Sequence, residues 1–276
     1  MAEQRTPRSL IVTFYGAYGR GLDGDGQLPV SALIRLLGAV GVDAPAVRSA
    51  VSRLKRRGFL IADRTGSGAR YSLSDSARIT LEDGDRRIYE RPLLKDDGEW
   101  LLAVFSVPEQ ERGKRHLLRS RLARLGFGQA SPGVWIAPSH VYDETRHTLV
   151  RLGLTSYVEL FRGTHEGFTA TSAAVARWWD LAAIAAMHRR FLAGQEPVLR
   201  RWASATSAAS APSPEEAYRD YLLAVDAWRQ LPYADPGLPE ALLPEDWPGV
   251  RAAEVFGDLH GRLREAGERF VADQVG

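Results

Sequence analysis

Apolar positions in the first 60 residues recur with helical spacing three times. Spacings of three and four residues place side chains on one face of an α-helix. The three groups are Leu10, Ile11, Phe14, Tyr15 and Tyr18; then Val30, Leu33, Ile34 and Leu37; then Val47, Ala50, Val51 and Leu54. The pattern predicts three short amphipathic helices, with the first ending near Gly19 and the second between Pro29 and Gly41.

The third of these helices has signals at both ends and a cationic outer face. Asp43 suits the N-cap, Pro45 is tolerated in the first turn, and Gly58 favours a C-terminal stop. The face opposite the apolar stripe carries Arg48, Ser49, Ser52, Arg53, Lys55 and Arg56. Arginine can bond guanine edges, while serine and lysine can hold phosphates. The segment therefore predicts a DNA recognition helix, although a charged face that is merely solvated remains the alternative.

A β-hairpin is predicted directly after this helix. Residues 59–61 and 71–73 have strand character, and the Gly-rich segment 65–68 suits a turn. Such a hairpin would bring Arg64 and Arg70 beside the DNA backbone. Helices and hairpin together predict an N-terminal winged helix-turn-helix domain over residues 1–75.

The middle of the chain changes from helical to alternating elements. Residues 100–107 form an apolar run typical of a buried strand, and 109–125 have helical spacing with leucines on one face. A hairpin over 127–136, a helix over 143–152 and a strand over 157–161 follow. The order β-α-β-β-α-β predicts a ferredoxin-like domain over residues 99–170.

The remainder, residues 171–276, is predicted to be a helical C-terminal domain. Long helices are expected over 178–203 and 249–274, and a shorter one begins at Ser213. Residues 204–214 are rich in Ala and Ser and predict a mobile linker. Residues 76–98 are expected to be a connecting helix and linker. The fold class is therefore α+β.

Charge is distributed unevenly along the 276 residues. The net charge is +2, yet residues 1–95 hold 16 Lys/Arg against 10 Asp/Glu, whereas residues 204–276 hold 6 against 13. This asymmetry favours DNA contact through the N-terminal part. The absence of cysteine, of a signal peptide and of a long apolar run predicts a cytoplasmic protein without membrane contact.

No catalytic motif stands out, so the chain is not expected to be an enzyme. Residues 19–24 match G-x-G-x-x-G, but they follow a helix, whereas a dinucleotide site requires a preceding strand. The six histidines have no metal-binding spacing. We predict no catalytic site, no metal and no cofactor. One alternative from another class stays open: a metal-dependent nuclease on the central domain, with Asp96, Asp97 and Glu99 as candidate carboxylates.

Several segments resemble the PaaX family of repressors of phenylacetic acid degradation. They are residues 8–13 with 33–37, residues 47–54 with 57–60, and the segment Leu238-Pro239 through Trp247-Pro248-Gly249. The resemblance spans most of the chain in the expected order. It implies a GntR-like winged helix, a ferredoxin-like middle and a helical C-terminal domain. It further implies a dimeric repressor that an aryl-CoA thioester releases from DNA.

The combined expectation is a cytoplasmic homodimer that represses a catabolic operon, such as one for phenylacetate, by binding a double-stranded operator. An aryl- or acyl-CoA is the expected effector. The indole rings offer apolar walls for an aryl group, and arginines suit its phosphates; for each tryptophan, core packing is the competing interpretation. The candidate ligand-binding residues are Trp178, Trp179, Arg189, Arg190, Arg200 and Arg201.

Overall fold

Residues 6–22, 26–64, 69–89, 98–204 and 213–275 are described by a computed structural model of the chain, Arg64 by its backbone only. The mixed α+β class is confirmed. The helices are α1 (Pro7–Ala17), α2 (Val30–Gly38), α3 (Ala44–Arg56), α4 (Asp75–Tyr89), α5 (Arg112–Arg124), α6 (Tyr142–Arg151), α7 (Thr171–Trp178), α8 (Leu181–Ser204), α9 (Pro214–Trp228), α10 (Leu231–Ala234) and α11 (Gly249–Val275). The strands are β1 (Leu28–Pro29), β2 (Leu60–Arg64), β3 (Ala69–Leu73), β4 (Trp100–Phe105), β5 (Gly128–Ser131), β6 (Val134–Pro138) and β7 (Val158–Gly163).

The chain divides into two compact units that do not follow its linear order. The first unit is Met1–Arg91, Arg190–Arg229 and Val250–Gly276, and the second is Pro92–Arg189 with Gln230–Gly249. Helices α1 to α3 thus share a unit with α9 and α11. The predicted boundaries at residues 75, 98 and 170 describe consecutive segments, and they stay a prediction.

Within the first unit, helices α1 to α3 accompany a small antiparallel sheet. The strand order is β1-β3-β2, and the register pairs Leu60 with Leu73 and Leu28 with Tyr71. The two-residue strand β1 was not predicted, because two residues give no alternation to detect. The apolar faces of α1 and α3 are buried as expected, and α3 turns a polar face outward.

The buried face of α2 differs slightly from the predicted one. Ala32, Leu33, Leu36 and Leu37 are buried, whereas Ile34 is only half-buried. The sequence LIRLL offers apolar residues at adjacent angles, so spacing alone did not decide between Ile34 and Leu36.

The second unit contains a four-stranded antiparallel sheet of order β5-β6-β4-β7. Its elements follow the chain order β4, α5, β5, β6, α6 and β7. One core cluster joins Leu101 and Ala103 of β4 to Leu118 and Leu122 of α5 and to residues of α6, including Leu149. A second cluster contains Trp100, Ile136 and Trp179. Because neighbouring residues of β4 enter different clusters, the strand has apolar neighbours on both sides.

The prediction of one helix over residues 178–203 was wrong at its start. Helix α7 ends at Trp178, and Trp179 has an extended backbone with ψ of 147°. The Asp180 side chain accepts a hydrogen bond from the Ala183 amide at 2.9 Å, so α8 begins one residue later. An aspartate that caps a new helix outweighed the apolar periodicity that crosses it.

The remaining helices begin close to the expected residues. Ser213 and Glu216 form a reciprocal capping box at the start of α9. Of the predicted linker, residues 205–212 lie outside the described residues, as do 90–97 of the connecting segment. None of the described helices combines the length and apolar composition that crossing a bilayer requires.

Candidate nucleic-acid interface

Helix α3 has the caps and the buried stripe that its sequence predicts. The Asp43 carboxylate accepts the Ala46 amide at 2.7 Å, and an aspartate at this position also interacts favourably with the helix dipole. Gly58 follows the helix with φ of +67°, a left-handed conformation that glycine adopts without steric cost. The residues of the apolar stripe are buried, which fixes the rotation of α3 about its axis.

The outward face of α3 is cationic and exposed. All six predicted groove residues are exposed: Arg48, Ser49, Ser52, Arg53, Lys55 and Arg56. Arg57, which the groove prediction left out, is also exposed at the C-cap. The run of three consecutive cations, Lys55-Arg56-Arg57, was the sequence signal that could have added Arg57 to the predicted groove residues. The helix therefore presents a ridge of cations and short hydroxyls to solvent.

This cationic ridge, residues 48–57 of α3 and its C-cap, has little internal charge compensation. No Asp or Glu occurs between Ala44 and Ala62. Within the described part of the chain, Arg53 donates a hydrogen bond to the Ser49 hydroxyl at 2.8 Å, whereas no hydrogen bond or ion pair engages Arg48, Lys55 or Arg56. Cations left without an internal partner are suited to an external anion such as a phosphate.

The structure describes the two strands β2 and β3 of the predicted wing but not the turn between them. Residues 65–68 lie outside the described residues, and the backbone alone of Arg64 is described. The Arg70 guanidinium is half-buried and donates to the Gln27 carbonyl oxygen at 2.9 Å. Arg70 therefore braces the segment before β1 in this structure. Its contact with DNA phosphates stays a prediction.

Helix α1 is fixed against both the sheet and the helices of its unit. The Tyr15 hydroxyl donates to the Tyr71 carbonyl oxygen of β3 at 2.8 Å. Arg20, which follows α1 and donates to the Gly16 carbonyl oxygen of that helix, forms a two-bond ion pair with Asp85 of α4, at 2.6 and 2.8 Å. Because α1 also contacts α3, these bonds help to hold the cationic ridge in one orientation.

The six candidate ligand residues are divided between the two units. Trp178, Trp179 and Arg189 belong to the second unit, and Arg190, Arg200 and Arg201 to the first. Their grouping as one site stays a prediction.

Most of these side chains have local partners. Trp179 is buried and donates from Nε1 to the Gly126 carbonyl oxygen at 3.1 Å, and Arg189 pairs with Asp246 at 3.0 Å. In the first unit, Arg201 pairs with Asp220.

A buried polar pair in the second unit was missed by sequence reasoning. The Nε2 atom of His188 lies 2.8 Å from an Asp235 carboxylate oxygen, and both side chains are almost completely buried. Trp247 packs edge-on against the imidazole, with ring centroids 5.9 Å apart. Sequence spacing gives no sign of this pair, because 47 residues separate His188 from Asp235.

The nuclease alternative gains no support. Among the described residues, no group of three or more His, Asp or Glu side chains is placed to hold a metal ion. Asp96 and Asp97, two of its candidate carboxylates, lie outside those residues.

Comparisons with known proteins match successive segments of the chain to PaaX-related proteins. Family profiles match over residues 6–77 (PaaX-like protein), 94–175 (PaaX protein central Cas2-like domain) and 179–273 (PaaX-like protein C-terminal domain). The transcriptional repressor PaaX of Escherichia coli (strain K12) is 28% identical over 271 residues, which cover 96% of this chain and 83% of the relative. An uncharacterized protein of known structure from Mycobacterium tuberculosis covers 97% of this chain and 99% of its own, with a TM-score of 0.61 and 22% identity. This last likeness shows the fold alone.

Proposed function

The chain belongs to the PaaX family, and from this premise we propose that it is a DNA-binding transcriptional repressor that inserts α3 into the major groove. The observation that carries the proposal is the cationic ridge of α3, which is exposed, free of carboxylates and, among the residues that the structure describes, largely without internal partners. The repressor name of the Escherichia coli relative supports the same function.

We interpret α1 to α3 with β1 to β3 as a winged helix-turn-helix, in which α3 is the recognition helix and β2–β3 the wing. Helix α3 is connected to α2 by the short segment 39–43, as helix-turn-helix geometry requires. We interpret the second sheet with α5 and α6 as ferredoxin-like. Its sheet order and the Cas2-like description of the central family profile support this interpretation.

The functional form in this proposal is a cytoplasmic homodimer on a two-fold symmetric operator. A dimer of winged helices places its recognition helices about 34–36 Å apart, one turn of DNA. Two half-sites whose centres lie one turn or a whole number of turns apart are therefore expected. Repression follows where such a site overlaps a promoter.

The effector in this proposal is an aryl- or acyl-CoA thioester of a catabolic pathway, phenylacetate degradation being the pathway that the family name suggests. Effector and operator binding must be coupled reciprocally. Isothermal calorimetry with a panel of CoA thioesters and their free acids tests this part. Heat from a thioester but not from its acid, together with weaker operator binding, supports it. A panel without heat or effect on DNA affinity refutes the effector while leaving the DNA-binding proposal intact.

The DNA-binding proposal is tested by selecting duplexes from a random-sequence library with the purified chain. Fluorescence anisotropy then compares the selected duplex with a shuffled duplex of equal length and composition. Specific DNA-binding proteins prefer their site by roughly 10³-fold or more at physiological salt. Equal affinity for both duplexes contradicts the proposal. Transcription in vitro from a promoter that overlaps the selected site then separates a repressor from a neutral DNA-binding protein.

A further inference from the structure

A buried polar network joins the DNA-binding helices to the C-terminal helices within the first unit. Asp226 of α9 is 4% exposed, and its Oδ1 atom accepts hydrogen bonds from two hydroxyls of α1. Ser9 donates at 2.6 Å and Thr13 at 2.7 Å. Arg229 donates to the same oxygen at 3.2 Å and to the Ser9 hydroxyl at 2.7 Å. The Asp226 network thus consists of these four side chains.

From this network we infer that Asp226 is a positioning residue for DNA recognition, acting through Ser9 and Thr13 on α1 and from there on α3. The inference rests on the proposed function and concerns how the orientation of the cationic ridge is set. Helix α1 contacts both α9 and α3, so a shift of α1 relative to α9 would also move the surface on which α3 packs.

The hydrogen bonds of the network are directional, so they can fix the position of α1 relative to α9. Apolar contacts are non-directional, so helices joined by them alone can adjust by small rotations and shifts. Hydrogen bonds require a short distance and a narrow range of angles. Ser9 and Thr13 lie four residues apart on one face of α1, and both converge on a single oxygen. Both bonds can form together at only one rotation of α1 about its axis and one position of α1 along that axis relative to α9.

A carboxylate at this place is costly to bury, so bulk stability alone does not explain it. A buried charge requires a partner and further hydrogen bonds to offset its lost hydration. Arg229 supplies the opposite charge, and the two hydroxyls supply the bonds. A network in which each member depends on the others favours one conformation over its neighbours.

The consequence falls on base recognition more than on general DNA affinity. Phosphate contacts tolerate small changes in orientation, whereas hydrogen bonds to base edges do not. A loosened network should therefore lower the affinity for a selected duplex and change that for a shuffled duplex little. The ratio of the two affinities is the quantity that a purely structural role would leave unchanged.

Two substitutions at Thr13 separate the hydroxyl from the packing. Thr13→Val keeps the shape and removes the hydroxyl, whereas Thr13→Ser keeps the hydroxyl and removes a methyl group. Positioning predicts that Thr13→Val lowers the affinity ratio by about tenfold, the discrimination of one good base contact. Thr13→Ser should retain the ratio. A role in packing alone predicts that both variants retain the ratio and that Thr13→Ser, which loses a buried methyl group, is the less stable of the two.

The control is Thr145→Val, which removes another buried threonine hydroxyl. Thr145 belongs to α6 in the second unit and donates to the Val141 carbonyl oxygen at 2.7 Å. Its substitution should leave the affinity ratio at the wild-type value. Circular dichroism melting of each variant gives the folded fraction by which binding is corrected. Should Thr13→Val fail to fold, Ser9→Ala at the half-buried end of the network makes the same test.

The outcomes distinguish the two proposals. A wild-type chain that selects no duplex overturns the proposed function and this inference with it. A wild-type chain that discriminates, with Thr13→Val and Ser9→Ala retaining its affinity ratio, overturns the inference alone. A reduced ratio in both variants, with Thr13→Ser and Thr145→Val unaffected, supports the positioning role of Asp226.

Discussion

Replacing Arg48 and Arg56 together by alanine should abolish most sequence-specific binding while leaving the fold intact. Both side chains are exposed, and neither has a hydrogen-bond or ion-pair partner within the described part of the chain. Surface substitutions of this kind change stability by roughly 0.5 kcal/mol or less. The loss should therefore appear in the DNA complex and not in the melting temperature.

The magnitude follows from the spacing of the two residues. Eight residues of α-helix rise by about 12 Å, which spans roughly three to four base steps. The two arginines therefore reach different base pairs. Each bidentate base contact contributes about 1–3 kcal/mol of discrimination. The double variant should lose about 2–6 kcal/mol, so its affinity for the selected duplex should fall at least about 30-fold.

A salt titration distinguishes base contacts from phosphate contacts. The slope of log K against log salt is negative, and each lost phosphate contact reduces its magnitude by about 0.9. If both arginines bind only phosphates, the magnitude of the slope decreases by about 1.8, and the affinities for the selected and shuffled duplexes fall alike. The matched control is Arg146→Ala, an exposed cation of α6 in the second unit. Wild-type affinity and slope in the double variant would refute the assignment of α3 as the recognition helix.

Three further predictions concern stability. Asp43→Ala should destabilise by about 1 kcal/mol because the Ala46 amide loses its cap, whereas Asp43→Asn should cost a few tenths, as denaturant melts will show. Trp228→Phe should cost about 1–3 kcal/mol because Nε1 donates to the Ile88 carbonyl oxygen at 2.9 Å; an unchanged midpoint would mean that water replaces the bond. Burial, followed by the nearby Arg264, lowers the pKa of His260 below 6.5, so the unfolded chain binds the proton more readily. Stability should therefore fall as the pH decreases through 6.5, and His260→Gln should reduce this slope in melts at a series of pH values; an identical slope in the variant would contradict the assignment.

The caps and apolar stripe of α3 were predictable because every signal for them is local. Asp43, Gly58 and the four buried positions lie within sixteen residues, and none depends on a distant segment. The order of elements around β4 to β7 was likewise predictable, since each strand and helix has its own periodicity. The break at Asp180 was not, because a capping residue and an apolar stripe made opposite demands there.

The polar pairs between distant segments could not be predicted from the sequence. Ser9 and Asp226 are separated by 217 residues, and His188 and Asp235 by 47. Each side chain alone is an ordinary polar residue on a helix or in a loop. Only the folded chain shows that α1 shares a compact unit with α9 and α11, and that the second unit contains the segment around Trp247. Such pairs depend on tertiary packing, for which a single sequence carries no periodic signal.

Site-specific cross-linking shows whether α3 lies in the groove of its DNA. The chain contains no cysteine, so a single introduced thiol is the only reactive one. Ser52 is exposed in the middle of α3, and Ser172 is exposed on α7 of the second unit. The duplex carries on one base in the major groove a tether that ends in a mixed disulfide with a small thiol. We expect the Ser52→Cys thiolate to displace the small thiol and form a disulfide with the tether by thiol–disulfide exchange, and Ser172→Cys not to do so. Equal cross-linking of both variants, or none from Ser52→Cys while the complex forms, would contradict this expectation.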